Sequence, residues 1–137
     1  MGRILAIDYG KKRIGIAVSD PLKIIAGGLG TWSPQEVIPF LQDYVKKEVV
    51  ECFVLGLPKQ TNGLPSENLQ RTEEFSKVLR RTFTNIPVVF VDERYTSTLA
   101  HRAMIEGGLK KKERQNKALV DEISATIILQ TYLEYNK

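Results

Sequence analysis

The first hydrophobic segment of the chain, Ile4-Leu5-Ala6-Ile7, runs without a polar break and ends on a carboxylate, Asp8, followed by Tyr9 and Gly10. An apolar run without alternation suits a strand covered on both faces. An acid at the exit of such a strand is held rigidly where a ligand can reach it. From Arg13 to Ser19 the pattern alternates: Ile14, Ile16 and Val18 share one side, while Gly15 and Ala17 keep the other thin. This predicts a second strand folding back on the first through a turn at Gly10. Asp20-Pro21 predicts another turn, and Ile24 to Trp32 a glycine-rich third strand. The chain thus opens as an antiparallel meander.

Ser33-Pro34-Gln35-Glu36 then starts a helix by three signals: a serine cap, proline at the first position and glutamate at the third. Val37, Leu41, Tyr44 and Val45 form its apolar stripe, and Pro39 is expected to distort its first turns. Val49 to Leu55 reads as a strand closed by Gly56-Leu57-Pro58, with an Asn62-Gly63 turn beyond it. A second amphipathic helix is predicted from Ser66 to Arg81, and a short strand from Val88 to Val91 delivers Asp92-Glu93-Arg94. Thr96 is positioned to cap a further helix that Gly107-Gly108 stops. Leu109 to Lys117 is basic and aperiodic, hence a loop, and Ala118 to Tyr135 is the last helix. Strands alternating with helices in the second half imply right-handed crossovers and parallel pairing beside the first strand.

Composition narrows the chemistry. At 137 residues, with 42% hydrophobic and 26% charged positions, one domain over residues 1–137 is expected. No stretch approaches the ~18–20 apolar residues of a membrane span, and no secretory signal is seen, so a cytoplasmic protein with no membrane partner is expected. The single cysteine, Cys52, and single histidine, His101, exclude an internal disulfide and a conventional zinc site. Any metal would be held by oxygen. The net charge of +4 leans toward polyanionic partners, and its distribution is uneven: Lys11-Lys12-Arg13 and Lys110-Lys111-Lys112-Glu113-Arg114 are dense basic clusters.

Three acids fall at predicted element ends. Asp8 closes the first strand. Glu93 follows the last strand, on the side of Val89 and Val91 by period-two counting, with Asp92 the alternative on the other face. Asp121 lies in the first turns of the final helix, on the stripe of Ala125, Ile128 and Tyr132. Singly, each has a simpler account: an Asx-turn for Asp8, a surface ion pair for Glu93, and the favourable end of a helix dipole for Asp121. Brought together at the carboxyl-terminal edge of the sheet, they would repel one another unless a hard cation neutralised them. Mg²⁺ or Mn²⁺ suits carboxylate oxygens. Two such ions about 3.5–4 Å apart can activate water and stabilise the leaving oxygen of a phosphodiester.

Four blocks make the chain resemble the YqgF family of ribonuclease H-like proteins, also called RuvX. They are Asp8-Tyr9-Gly10-Lys11-Lys12-Arg13-Ile14-Gly15-Ile16-Ala17-Val18-Ser19-Asp20, Gly56-Leu57-Pro58 with Gly63, Asp92-Glu93-Arg94-Tyr95-Thr96-Ser97, and Val120-Asp121-Glu122-Ile123-Ser124-Ala125 through Leu129. The resemblance implies a ribonuclease H-like α/β fold, a five-stranded mixed sheet of order 3-2-1-4-5 with helices on both faces. It implies a divalent-metal nuclease centre of Asp8, Glu93 and Asp121. Lys11, Lys12, Arg13, Arg94, Lys110, Lys111, Lys112 and Arg114 would grip phosphates, and Gly10, Gly56 and Pro58 would shape the cleft. The implied substrate is precursor 16S rRNA, processed at its 5′ end, with branched DNA the alternative, by a monomer or weak homodimer. Two rivals from other classes stand beside it. One is a non-catalytic RNA-binding module; the other is an actin-like ATPase, which shares the aspartate-glycine turn but needs a second domain.

Overall fold

A computed structural model describes residues 2–10, 12–57, 67–92 and 117–135 of the chain. In chain order these form β1 (Arg3–Tyr9), β2 (Ile14–Ser19), β3 (Ala26–Trp32), α1 (Pro34–Lys47), β4 (Val50–Leu57), α2 (Glu67–Thr82), β5 (Val88–Asp92) and α3 (Lys117–Tyr135). The sheet order is β3-β2-β1-β4-β5. β2 pairs antiparallel with both β1 and β3, whereas β4 runs parallel to both β1 and β5. The expected meander and parallel extension are therefore both present. The Asn62-Gly63 turn, the helix after Thr96 and the basic loop as far as residue 116 lie outside the described residues.

Period-two alternation along the central strands builds two unequal layers. One face turns Leu5, Ile7, Ile14, Ile16, Phe53 and Leu55 toward Val37 and Leu41 of α1 and Phe75 and Leu79 of α2. Phe53 is fully buried, with its ring 5.1 Å from that of Phe83. The other face is made of smaller groups: Ile4, Ala6, Ala17, Cys52 and Val54 meet Ala125, Ile128 and Leu129 of α3. β1 is sealed on both sides, which is why its sequence shows no polar break. Cys52 is buried here as a small hydrophobe. Burial pushes its thiol up from the ordinary value, against the opposing pull of a hydrogen bond with Tyr132. Among the described residues, no helix is long and apolar enough to cross a membrane.

Three local expectations change. β3 begins at Ala26, not Ile24, because the Asp20 carboxylate holds the preceding turn. It accepts hydrogen bonds from the backbone N–H groups of Ile24 (2.7 Å), Ile25 (2.8 Å) and Leu22 (3.2 Å). These bonds outcompete strand pairing locally, and leave Leu22, Ile24 and Ile25 exposed. β4 continues through Gly56 and Leu57, which pair with Val91 and Asp92; a neighbouring parallel strand overrides the turn preference of that glycine. Ser33 occupies the N-cap position of α1, yet its hydroxyl makes no capping bond. Pro39 lies inside α1 without ending it. It is exposed, so the carbonyl deprived of a partner can turn to water.

The Asp20 turn carries a pH signature. Backbone donation, from Ile25 foremost, lowers the carboxyl pKa below the ordinary 3.8. The charged form is thus favoured by folding, and its contribution is present above the unfolded value and disappears as pH falls through the lowered one. Asp20→Asn should therefore unfold at a lower temperature than the parent at neutral pH. The gap between the two thermal midpoints should close on acidification below 3.8.

Candidate active site at the carboxyl end of the first strand

Asp8 is the penultimate residue of β1 and pairs across the antiparallel ladder with Gly15 of β2. The turn between them is closed by a hydrogen bond from Gly10 N–H to the Arg13 carbonyl, 3.1 Å. A Cβ on Gly10 would lie 2.5 Å from that same oxygen, so a side chain there would open the hairpin. Cross-strand partners project to one face. Ala6 and Ala17 fix that face as the one covered by α3, so Asp8 and Gly15 share it.

The last helix reaches this end of the sheet by riding over glycine. A Cβ on Gly15 would collide with the Asp121 carbonyl oxygen and stand 2.5 Å from its carbon. One strand further out, a Cβ on Gly28 would strike the Glu122 side chain. The first turns of α3 therefore lie with their backbone against β2 and a side chain against β3. From there the helix runs toward the start of β1, where Tyr132 and Leu133 pack with Ile4 and Cys52. Asp121 sits directly over the residue opposite Asp8, and the two acids share one face at one rim.

Arg13 joins them. Two residues before Gly15, it projects by alternation to the α3 side, and its Nε donates to Asp121 Oδ2 at 2.9 Å. The pair is neither buried nor free, with side-chain exposures of 37% for Arg13 and 26% for Asp121. Lys12 is exposed on the same turn, and Gly56 is buried at the end of β4. Lys11, Pro58, Glu93, Arg94, Lys110, Lys111, Lys112 and Arg114 lie outside the described residues, as does the side chain of Asp92.

Of the expected site residues, the structure thus brings Asp8, Arg13 and Asp121 together around Gly15. Among the described residues no group of three His, Cys, Asp or Glu side chains could hold an ion. The donor chemistry of Asp8 and Asp121, all carboxylate oxygen, fits a hard cation such as Mg²⁺ or Mn²⁺. Sequence reasoning missed the Arg13–Asp121 pair, having read Arg13 only as a phosphate contact. The spacing of Arg13 and Gly15 on one face was the available signal. For the seat of Glu122 on Gly28 there was no signal beyond the glycine content of the third strand.

Comparison with known proteins covers nearly the whole chain. A family model described as RuvX, Holliday junction resolvase, matches residues 2–135. A protein of Bacteroides thetaiotaomicron is 62% identical over 134 residues, covering 98% of this chain and 97% of its own. One of Parabacteroides distasonis is 59% identical over 137 residues, covering 100% and 98%. Both are provisionally named pre-16S rRNA nuclease. Among solved structures, RuvC of T. thermophilus in complex with a Holliday junction substrate superposes with a TM-score of 0.58 at 16% identity, over 99% of this chain and 97% of that one. A second RuvC structure from Thermus thermophilus gives 0.55 at 15% identity over 97% and 96%. These likenesses show a ribonuclease H-like fold.

Gly15→Ala tests the helix seat. The added methyl group meets backbone, which cannot swing aside, so α3 must lift. A loss of about 2 kcal/mol or more is expected in urea unfolding, against a few tenths for alanine at an open strand position.

Proposed function

The chain belongs to the RuvX family, and from that premise we propose that it is a divalent-metal-dependent nuclease of the cytoplasm that processes the 5′ end of precursor 16S rRNA. One observation supports the reading: the backbone of Asp121 is seated over Gly15, the cross-strand partner of Asp8, so that two acidic residues lie on one face at one rim of the sheet. The names of the relatives from Bacteroides and Parabacteroides support the substrate.

Asp8, fixed by the ladder, and Asp121, fixed by the helix seat, would hold the cations. Glu93 would complete the set. Val89 and Val91 pack on the α3 face, and one further step of alternation favours Glu93 on that side over Asp92. Gly56, the penultimate residue of β4, which lies between β1 and β5, has no side chain to obstruct an acid reaching across. Bound Mg²⁺ or Mn²⁺, two ions in this reading, would lower the pKa of water and neutralise the leaving oxygen. The protein's own part is to fix the oxygen donors, to keep them charged, and to bring phosphates to an otherwise anionic rim. Lys12 on the exposed turn, with Lys11, Arg94, Lys110, Lys111, Lys112 and Arg114, would supply that electrostatic grip. A four-way DNA junction is the second reading, favoured by the description of the family model. It would require a dimer for symmetric cutting of two strands.

Asp8→Asn and Asp121→Asn, assayed on a precursor 16S rRNA fragment with Mg²⁺ or Mn²⁺, should each lose more than about 100-fold in cleavage rate. RNA retention on a filter, measured without divalent metal, should stay near that of the parent. Absence of cleavage by the parent with either metal would leave only a binding module. Faster cutting of a four-way DNA junction than of the RNA would reassign the substrate.

A further inference from the structure

We propose that Arg13 is a resident counter-cation that holds the Asp121 carboxylate in the metal-free protein and hands it over when a divalent ion binds, passing its guanidinium to a backbone phosphate of the substrate. The inference rests on the metal-dependent reading above and adds to it a coupling between cation and nucleic acid.

The geometry supplies each part. Asp8 and Asp121 lie on one face beside Gly15, and in the absence of metal the charge of Asp121 is best held by a cation. Arg13 is that cation, through Nε to one oxygen of Asp121 at 2.9 Å. A doubly charged ion on the same carboxylate would repel the guanidinium at close range, so the two occupants compete for it. The exchange is cheap, because the pair is partly exposed and such pairs contribute little. Arg13 also stands on the hairpin turn next to exposed Lys12, at the edge where a polyanion would approach. A guanidinium serves carboxylate and phosphate equally well, since its planar fork fits both. Displaced from one, it is placed for the other. Metal and phosphate should then each strengthen the binding of the other, since such coupling is reciprocal.

The test is Mn²⁺ titration calorimetry on the whole chain, alone and with saturating single-stranded RNA carrying phosphorothioate linkages that resist cleavage. Without RNA, Arg13→Gln should bind Mn²⁺ about two- to tenfold more tightly than the parent, having lost its competitor. RNA should tighten Mn²⁺ binding in the parent and do so much less in Arg13→Gln. Arg13→Lys retains a charge without the planar fork, and should fall between the two in both measurements. It also serves if the glutamine variant fails to fold. Mn²⁺ that binds the parent, is lost in Asp8→Asn, and binds folded Arg13→Gln or Arg13→Lys no more tightly would overturn this inference alone. No Mn²⁺ binding to any of them would remove it together with the metal-dependent reading.

Discussion

The organisation of the rim depends on a close approach of helix to sheet that side chains would forbid. Where α3 begins, the backbone at Asp121 rests on Gly15 and the side chain of Glu122 on Gly28. Helices packed on sheets are ordinarily held off by intervening side chains. Here β2 and β3 have none at the contact, and the acid is carried down to the level of Asp8. A carboxylate on a long exposed side chain could reach a similar point but would be free to leave it. A carboxylate whose own main chain is pressed against the sheet has only its rotamer to choose, which is the kind of preorganisation that an ion site requires.

The contrast between the two faces serves the same end. The side holding α1 and α2 is filled by large groups, Phe53, Phe75, Leu41 and Leu79, and supplies most of the bulk burial. The α3 side is built on Ala6, Ala17 and Ala125. Fewer bulky side chains there mean fewer ways for the helix to repack. Stability and positioning are thereby assigned to opposite sides of one sheet, and β1, which belongs to both, carries the acid at its end.

Much of this is legible in the linear sequence. The unbroken run before Asp8 marks a doubly covered strand, and the alternation from Ile14 marks its antiparallel neighbour, including the thin side at Gly15 and Ala17. The sheet order follows from the alternation of elements and from the family blocks. Tertiary pairings are harder to read. The extension of β4 through Gly56 depends on β5 lying beside it, which no local signal announces. The delayed start of β3 depends on three amides choosing a carboxylate over a ladder. The Arg13–Asp121 pair joins residues 108 positions apart, and only the folded chain decides whether a cationic side chain so near an acidic rim faces solvent or carboxylate.

The lone sulfhydryl has a practical consequence. Cys52 lies between sheet and helix, with its proton retained by burial, at the end of the molecule away from the acids. Only the thiolate is a competent nucleophile toward oxidants and alkylating reagents. This cysteine is therefore a slow target, and two molecules lack an accessible sulfur pair from which a covalent bridge could start. Exposure to air should leave the protein's oligomeric state alone.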